Sequence, residues 1–319
     1  CESPQPDRTM DQIKVFAPAT VANVGCGFDI LGLALNSVGD ELTVRKTETP
    51  GLTISSIHGA EYLPKEPEKN VATVAVQALI DALEWELDFG LDFELTKKVA
   101  PGSGLGSSAS SSAAAVFAVN SLLDEPFEKK ELVQFAMMGE KAASGVAHAD
   151  NVAPSILGGF TLVRSYSPLD VIKLDYPKEL YVTVVHPQIE VKTSDSKKIL
   201  RKDIPLHDAI TQWGNVGGLV AGLAKGDYDL IGRSLVDVVA EPVRSMLIPY
   251  FNEAKEAALN SGALGCSISG SGPSIFALTT NFEQAEEVAK AFSDLYREHS
   301  IDAIVYVSSV NPVGAEVIS

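Results

Sequence analysis

The feature that most constrains this chain is a glycine-rich loop between a predicted strand and a predicted long helix. The loop, residues 101–109, reads PGSGLGSSA. The alternation of apolar and polar residues at 91–96 predicts a half-buried strand before it, and serine and alanine fill a predicted helix at 107–123 after it. Glycine lets backbone N–H groups approach a ligand closely, and a helix N-terminus favours an anion. The loop therefore predicts a site for a phosphate and its magnesium ion, near the hydroxyls of Ser107 and Ser108, with a plain turn capped by Ser107 as the structural alternative.

Several common nucleotide-binding signatures do not occur in the sequence. The GxxxxGK[ST] motif of P-loop proteins is absent, and the glycine spacing is GxGxG, which differs from the GxGxxG of dinucleotide-binding folds. Asp88-Phe89-Gly90 spells the DFG of protein kinases, but no HRD catalytic loop accompanies it, so we interpret it as chance. These differences indicate a phosphate site of another kind.

Two further glycine-rich loops carry polar residues. Residues 17–29 read APATVANVGCGFD and hold Asn23 and Asp29, and residues 267–274 read SISGSGPS between two apolar, strand-like segments. Because glycine lacks a Cβ atom, backbone segments of this kind can lie directly against a ligand. Three such loops in one chain predict that several segments converge on one ligand.

The composition indicates which kinds of partner this chain can bind and in which compartment it works. The chain has 319 residues, with 25 Lys plus Arg against 42 Asp plus Glu and a formal net charge of −17. This charge argues against nucleic-acid and membrane partners, because phosphate backbones and anionic lipids attract clustered positive charge. The longest apolar run, residues 113–119, is far shorter than the roughly 20 residues that span a bilayer. The three cysteines form no CxxC pair, so we expect neither a zinc site nor disulfides, and a reducing cytoplasm.

The predicted elements favour an α+β architecture in two domains. Strands are predicted at residues 12–17, 41–46, 52–57, 91–96, 159–164, 180–186, 263–268, 274–279 and 302–308. Helices are predicted at residues 70–86, 107–123, 129–143, 208–224, 229–239, 248–261 and 281–298. Two prolines within residues 167–177 predict a crossing between the domains. The two types are mixed without strict alternation, which is typical of the α+β class.

Five separated segments together carry a more specific resemblance. They are residues 17–29 with the continuation to Gly32-Leu33-Ala34-Leu35, residues 101–110, His148-Ala149-Asp150-Asn151-Val152-Ala153-Pro154, Glu241-Pro242-Val243-Arg244, and residues 269–274. In their order they resemble the signature motifs of the GHMP superfamily of small-molecule kinases. Within that superfamily they are most similar to those of the homoserine kinase family. The resemblance covers residues 13–317.

The resemblance implies a fold of two domains with ATP bound between them. The N-terminal domain of this family resembles ribosomal protein S5 domain 2, and the C-terminal domain is ferredoxin-like. On this basis we expect residues 10–168 to form the ATP-binding domain and residues 169–319 to form the C-terminal domain. Residues 1–9, a polar stretch with proline, are expected to be a tag or a disordered extension.

The resemblance also implies ATP and Mg²⁺ as ligands. The residues expected to wrap the ATP phosphates are Pro101, Gly102, Ser103, Gly104, Leu105, Gly106, Ser107, Ser108 and Ala109. Ser108 and Glu140 match the positions that hold magnesium, although composition alone would make Glu140 a solvated helix residue. Asn70 matches a position near the adenine, and it is equally suited to cap a helix N-terminus.

The implied reaction is the phosphorylation of the side-chain hydroxyl of L-homoserine to O-phospho-L-homoserine, in threonine biosynthesis. Asp29 suits the ammonium group of this amino acid. Arg244 suits its carboxylate, because a guanidinium group offers two parallel hydrogen bonds. The resemblance places Asn23, His148 and Asn151 in the same pocket. Without it, His148 would be interpreted as a structural histidine and Arg244 as part of a surface ion pair.

One position departs from the family pattern. The family places a second arginine for the substrate carboxylate where this chain has Lys197. Lysine keeps the positive charge but loses the planar, two-pronged contact. Arg201 lies one helical turn further on and is the alternative.

The expected mechanism is direct phosphoryl transfer, which depends on positioning and charge neutralisation more than on covalent chemistry. Asn151 is expected to orient the acceptor hydroxyl. Asp150 stands where mevalonate-type relatives carry a base aspartate, and its role as a base is left open. Because both ATP and this chain are strongly anionic, we expect ATP to bind weakly without magnesium.

Two other functions stay open at this point. One is a GHMP kinase with another hydroxy acceptor, which would leave Asp29 without an ammonium partner. The other is a non-catalytic nucleotide-binding protein, against which the intact Ser107, Ser108 and Glu140 argue. The family resemblance adds a possible homodimer as an expected assembly.

Overall fold

The computed structural model describes residues 11–189, 191 and 193–319, without the side chains of residues 193, 194 and 197. The predicted extension at residues 1–9 lies outside this part of the chain. The described strands are β1 (Gln12–Ala22), β2 (Leu31–Thr47), β3 (Gly51–His58), β4 (Gly90–Thr96), β5 (Phe160–Tyr166), β6 (Leu169–Leu174), β7 (Tyr181–Pro187), β8 (Gly265–Ile268), β9 (Ile275–Thr279), β10 (Ala303–Ser309) and β11 (Glu316–Val317). The described helices are α1 (Val71–Asp81), α2 (Ser107–Leu122), α3 (Leu132–Ser144), α4 (Val152–Leu157), α5 (Thr193–Lys198), α6 (Leu206–Lys225), α7 (Tyr228–Ser234), α8 (Glu241–Arg244), α9 (Phe251–Asn260) and α10 (Phe282–Glu298).

The larger sheet is organised around the long strand β2. Strand β2 pairs antiparallel with β1 along both of its halves. On its other side, its first residues pair antiparallel with β5 and its end pairs antiparallel with β4. Strand β3 adds to β4 in the parallel direction, and the C-terminal β11 returns to pair with β1. Inward-facing Ile13, Val15, Leu42, Val44 and Phe93 are buried, as the alternating pattern of these strands requires.

Helix α2 is the central helix of this half of the molecule. It contacts α1 and α3 as well as β1 and β2, and its alanines and several of its serines are buried. Small side chains let a helix approach its neighbours closely on all sides, which explains why this segment is rich in alanine and serine. The arrangement places the N-terminus of α2, which follows the glycine-rich loop, inside the molecule.

The smaller sheet has the order β10-β7-β9-β8 within the described residues, with antiparallel pairing throughout. Helices α9 and α10 pack on it and form one hydrophobic core with Phe251, Phe292 and Tyr296. A separate core joins the two halves, since Leu31 and Leu33 of β2 share it with Val184 of β7 and Leu219 of α6. The two sheets are therefore held against each other by apolar packing.

The helix boundaries differ most from the prediction at the ends of α1 and α7. Helix α1 begins after Asn70, whose Oδ1 accepts a hydrogen bond from the Ala72 N–H at 3.0 Å, as a capping asparagine does. It ends at Asp81, five residues before the predicted end. Helix α7 likewise ends at Ser234, well before residue 239, because the chain turns around the carboxylate of Asp237.

The predicted crossing at residues 167–177 was wrong. Strand β6 lies inside it and pairs antiparallel with β5 as a hairpin, with Leu162 opposite Ile172. The larger sheet therefore continues past the boundary expected between residues 168 and 169, as far as Leu174. Short alternating runs such as Leu169–Leu174 are easily hidden by a nearby proline, which signals a turn.

Candidate active site

A cavity of about 360 Å³ lies where the three glycine-rich loops meet. The first loop contributes Asn23 and Asp29, and the third contributes Gly270 and Ser271. The predicted site residues that line this cavity are Asn23, Asp29, Pro101, Gly102, Gly104, Gly106, Ser107, Ser108, Glu140, His148, Asp150, Asn151 and Arg244. The structure thus brings together residues that are up to 221 positions apart, from Asn23 to Arg244.

A few predicted residues lie beside the cavity. Ser103, Leu105 and Ala109 belong to the loop and its helix, but they are buried. Asn70 is also buried: its Nδ2 donates to the Pro64 carbonyl oxygen at 2.8 Å, and its neighbour Val71 lines the cavity. The helix-capping role of Asn70 is therefore observed, and its place near the adenine stays a prediction.

Lys197 and Arg201 are the two residues predicted to make the second contact with the substrate carboxylate. Lys197 belongs to α5, but its side chain lies outside the described part of the structure. Arg201 is exposed and does not line the cavity. Ser196 of the same helix is buried, and its Oγ donates to the Ser271 carbonyl oxygen at 2.8 Å. Helix α5 is therefore anchored to the third loop at the edge of the cavity.

The glycine-rich loop is built so that side chains cannot replace its glycines. Gly102, Gly104 and Gly106 all have positive φ values, of 77°, 82° and 66°, which L-residues rarely adopt. A Cβ atom at Gly104 would lie 2.6 Å from the Ser269 carbonyl oxygen. The hydroxyl of Ser269 donates to the Gly104 carbonyl oxygen at 2.7 Å. The third loop therefore supports the second one from behind.

The first turn of α2 presents its N–H groups toward the cavity. Gly106 precedes the helix in a left-handed conformation, and within the described residues no side chain caps this end. The Ser107 hydroxyl donates elsewhere, to the Val99 carbonyl oxygen at 2.7 Å. Unpaired N–H groups and the helix dipole together favour an anion at this position. The local structure therefore suits a phosphate group.

A buried ion pair holds this end of α2 in place. The Lys97 ammonium contacts the Asp40 carboxylate, and it donates to the Ser107 carbonyl oxygen at 2.7 Å and to Ser111 Oγ at 2.8 Å. The second oxygen of Asp40 accepts from the backbone N–H groups of Lys98 and Val99. Burial lowers the pKa of Lys97, and the Asp40 charge opposes this effect. Lys97 lines the cavity, yet no sequence motif marks it.

Ser108 and Glu140, the two residues predicted to hold magnesium, each bring side-chain oxygen to the cavity wall. Both line the cavity, and Glu140 is buried. Among the described residues no group of three or more His, Cys, Asp or Glu side chains could hold a metal. Magnesium commonly takes one or two carboxylates and completes its shell with substrate phosphates and water. One hydroxyl and one carboxylate beside an anion site therefore fit this ion.

A hydrogen bond from Thr20 holds the side-chain amide of Asn151 in one orientation. Thr20 Oγ1, which is buried in β1, donates to Asn151 Oδ1 at 2.7 Å. A Cβ atom at Gly106 would lie 2.2 Å from Thr20 Oγ1 and 2.9 Å from Asn151 Oδ1. The oxygen of the Asn151 amide is therefore engaged by Thr20. Its Nδ2 group is the part left for a ligand.

Asp150 is a buried carboxyl group next to Asn151. Its Oδ1 has no hydrogen-bond partner within the described part of the chain. Burial, together with the nearby charges of Asp29 and Glu140, raises the pKa of Asp150 to about 8. A group with this pKa is mostly protonated at neutral pH. The carboxyl of Asp150 therefore carries little charge at neutral pH.

The first glycine-rich loop presents Asp29 next to His148. Asn23 Oδ1 accepts from the Asp29 N–H at 3.0 Å, and His148 Nδ1 lies 3.7 Å from Asp29 Oδ1. The Tyr166 hydroxyl donates to the Asp29 carbonyl oxygen at 2.6 Å and accepts from the Ala149 N–H at 3.3 Å. Tyr166, which the sequence analysis missed, thus joins the loop of Asp29 to the segment of His148. The half-exposed Asp29 carboxylate faces the cavity, where a cation would fit.

Arg244 reaches the same cavity from α8 and is buried. Its Nη1 donates to the Gly270 carbonyl oxygen at 3.1 Å, and its Nε donates to the Ser196 carbonyl oxygen at 3.2 Å. The guanidinium carbon lies 5.1 Å from the centre of the Phe28 ring. Burial lowers the pKa of Arg244, while the charges of Asp29 and Asp237 oppose this effect. Within the described residues two N–H groups fix the side chain, and the other three suit an anion such as a carboxylate.

Comparison with known proteins identifies the family. The GHMP kinases N terminal domain matches residues 70–159, and the GHMP kinases C terminal domain matches residues 219–298. A homoserine kinase of Chloroherpeton thalassium is 50% identical over 97% of this chain and 100% of its own length. A homoserine kinase of Chlorobium phaeobacteroides is 49% identical, with 97% of this chain and 100% of its own length covered.

Solved structures agree with the sequence comparison. The crystal structure of homoserine kinase from Cytophaga hutchinsonii has a TM-score of 0.95 and 53% identity, covering 99% of this chain and 100% of that chain. The mevalonate kinase of L. major, with a TM-score of 0.69, 18% identity and coverage of 93% and 96%, shares the fold. Within the described residues no helix is long and apolar enough to cross a membrane. The chain belongs to the homoserine kinase family of the GHMP kinases, whose members transfer phosphate to a hydroxyl group.

Proposed function

We propose that this chain phosphorylates the side-chain hydroxyl of L-homoserine with ATP, in the cytoplasm and as a step of threonine biosynthesis. The observation that carries the proposal is the composition of one cavity. It combines an anion site at the N-terminus of α2 with a carboxylate, Asp29, and a buried guanidinium, Arg244. An acceptor with both an ammonium and a carboxylate matches the last two groups. The names of the similar homoserine kinases support the same acceptor.

The ATP phosphates would lie along residues 101–109. The loop backbone and the first N–H groups of α2 would donate hydrogen bonds to them. Ser108 and Glu140 would hold the magnesium ion, which when bound neutralises negative charge on the phosphates. Lys97 keeps the Ser107 carbonyl, and with it the first turn of α2, in position.

The acceptor amino acid would lie between Asp29 and Arg244. The ammonium group would bind the Asp29 carboxylate beside His148, and the carboxylate would bind the free N–H groups of Arg244. Asn23 supports both contacts, because it accepts from the Asp29 N–H and donates to the Gly270 carbonyl oxygen that Arg244 also uses. Lys197 is a further candidate for the carboxylate.

The reaction exchanges one phosphorus–oxygen bond for another. The acceptor oxygen forms a bond to the γ-phosphorus while the bond from that phosphorus to the β–γ bridging oxygen breaks, and ADP leaves. The amide of Asn151, fixed by Thr20, would orient the acceptor oxygen. The hydroxyl proton departs late in a loose transition state and passes to an oxygen of the transferred phosphoryl group or to solvent. Because such a transition state needs little proton removal from the acceptor, we propose that transfer does not depend on Asp150 as a base.

A coupled assay of ADP release with Mg-ATP tests this function. The acceptors compared are L-homoserine, L-serine, L-threonine, mevalonate, shikimate and galactose. Turnover mainly with L-homoserine is the expected result, and mass spectrometry should detect O-phospho-L-homoserine. Turnover with another acceptor would move the substrate assignment, and ATP binding without any turnover would indicate a non-catalytic protein.

Two further features of the chain stay proposals. We propose two domains, an N-terminal ATP-binding domain and a C-terminal domain, with the larger sheet continuing through β6 to Leu174. We also propose a homodimer, because this assembly is common in the family. Light scattering on the purified protein, coupled to gel filtration, tests the homodimer.

A further inference from the structure

We propose that Gln212 is a positioning residue that fixes the Asp29 loop relative to the Arg244 helix, and so sets the fit of the amino acid acceptor. The inference rests on the proposed function, because that function names the amino acid acceptor. The evidence for it is the set of hydrogen bonds made by the Gln212 side chain, which is buried and does not line the cavity. Gln212 lies on α6, outside every motif identified in the sequence.

Both the nitrogen and the oxygen of the Gln212 side-chain amide form hydrogen bonds. Its Nε2 donates to the Cys26 carbonyl oxygen at 2.6 Å and to Asp237 Oδ1 at 2.9 Å, and its Oε1 accepts from the Val238 N–H at 3.0 Å. A backbone N–H can only donate and a carbonyl oxygen can only accept, so these partners determine which way the amide points. Gln212 therefore bridges the first glycine-rich loop and the segment at residues 237–238.

Asp237 connects Gln212 to the start of α8. Its carboxylate is buried and accepts from the N–H groups of Val239 at 2.8 Å, Ala240 at 3.1 Å and Glu241 at 2.8 Å. These are the N–H groups at the start of the short helix that ends with Arg244. The position of the Asp237 carboxylate thus determines where α8 begins, and with it where Arg244 lies.

The two segments that Gln212 joins also meet at the cavity. Phe28 and Asp29 follow Cys26 by only two and three residues, and the Arg244 guanidinium lies over the Phe28 ring at 5.1 Å. The Gly270 carbonyl oxygen accepts from Asn23 Nδ2 at 3.0 Å and from Arg244 Nη1 at 3.1 Å. The contacts made by Gln212 lie behind this junction. Loss of the bridge should therefore shift the groups for the ammonium and the carboxylate relative to each other.

The ATP end of the cavity has separate supports. The loop at 101–106 is braced by Ser269, and the first turn of α2 is braced by Lys97. Within the described part of the chain, the hydrogen bonds of the Gln212 side chain reach neither of these residues. A substitution at Gln212 should therefore weaken the acceptor and leave ATP almost unaffected.

Steady-state kinetics of Gln212→Leu and Gln212→Glu test this inference. The first variant removes all three hydrogen bonds; the second keeps the shape but turns a carboxylate oxygen toward the Cys26 carbonyl and Asp237. Asn215→Ala is the matched control, because Asn215 lies on the same helix and donates to the Val236 carbonyl oxygen at 2.8 Å, but is only partly buried. We expect the KM for L-homoserine to rise about tenfold or more in both Gln212 variants. The KM for ATP in these variants, and both KM values in Asn215→Ala, should stay within about twofold of the wild-type values.

Several outcomes would overturn the inference while leaving the proposed function intact. They are unchanged KM values for L-homoserine in both Gln212 variants, an equal rise in both KM values, or an equal effect of Asn215→Ala. Circular dichroism and thermal unfolding of each variant show whether it is folded, and if Gln212→Leu fails to fold, Gln212→Glu decides alone. Lack of turnover of L-homoserine by the wild-type protein would contradict the proposed function instead. The same comparison of KM values is then made with whichever amino acid the wild-type protein phosphorylates, and lack of any amino acid acceptor would overturn the inference too.

Discussion

The hydroxyl of Thr20 donates a hydrogen bond of 2.7 Å to the amide oxygen of Asn151, across 131 positions of sequence. Thr20 lies in β1, which includes the first residues of the segment at 17–29, and Asn151 stands at the start of α4. The bond joins two of the motif segments directly at the wall of the cavity. It assigns the amide oxygen to the protein and the amide nitrogen to the ligand, which is what an orienting residue needs.

Thr20→Val should therefore lower kcat for L-homoserine by about tenfold, because the Asn151 amide loses its fixed orientation. Thr161→Val is the matched control: Thr161 is buried in β5, and its hydroxyl has no hydrogen-bond partner within the described part of the chain. We expect the control to keep full activity. An unchanged kcat in Thr20→Val, measured by ADP release, would contradict the role of this bond.

Gly106→Ala should abolish most activity. The new Cβ atom would lie 2.2 Å from Thr20 Oγ1 and 2.9 Å from Asn151 Oδ1, at a φ of 66°. Gly102→Ala provides the comparison, since its φ is also positive but nothing lies within 4 Å of the new Cβ atom. Both variants carry backbone strain of about 1 kcal/mol, so a difference in kcat between them reports the clash alone. Equal losses in the two variants would show that strain explains the effect.

Lys97→Met should destabilise the protein by about 3 kcal/mol, because it leaves the buried Asp40 carboxylate without its cation. The first turn of α2 also loses the bond to the Ser107 carbonyl, so the KM for ATP should rise. Lys98→Met is the control, since Lys98 pairs with Glu41 at the surface, where such a pair contributes less than about 1 kcal/mol. Urea unfolding measures both effects. Equal stability of the two variants would argue against the buried pair.

The free energy of unfolding should fall as the pH rises toward 8, because of Asp150. Its pKa is about 8 in the folded protein and 3.8 for an ordinary aspartate. Between these values the folded state holds a proton that the unfolded state has lost, so the stabilisation is present at low pH and disappears near pH 8. Between about pH 6 and about pH 9 the loss should be about 3 kcal/mol.

Asp150→Asn removes this titration, so urea unfolding of the variant should lack the corresponding part of the pH dependence. Asp11→Asn, at an exposed residue, is the control and should keep the wild-type slope. A slope identical in wild type and Asp150→Asn would show that the carboxyl has an ordinary pKa. The turnover of the same variant decides the question of a base, since an unaffected rate removes Asp150 from that role.

Much of the site could be predicted from the sequence because its chemistry is concentrated in short, contiguous segments. Residues 101–109 carry both the glycines and the serines of the anion site, and Asn23 and Asp29 lie in one loop. The cap at Asn70 and the strand at residues 91–96 follow from local propensity and alternation. Signals of this kind need no knowledge of the fold.

The residues that hold the site in place could not be predicted in this way. Lys97, Gln212 and Tyr166 act on partners that are distant in sequence, and nothing in their local pattern distinguishes them from ordinary strand or helix residues. Thr20 lies in the motif at residues 17–29, but its bond to Asn151 depends on the fold. Their roles depend on which segments the fold brings together. The early end of α7 has the same origin, because the turn around Asp237 is fixed by Gln212.

The most direct test of the account compares L-homoserine with two analogues in the ADP-release assay. Aminopropanol lacks the carboxylate expected at Arg244, and γ-hydroxybutyrate lacks the ammonium group expected at Asp29. Each missing group leaves a charge of the site unpaired, so kcat/KM should fall by at least about a hundredfold for either analogue. Turnover of γ-hydroxybutyrate or aminopropanol as efficient as that of L-homoserine would contradict the assignment of Asp29 and Arg244, and with it the proposed acceptor.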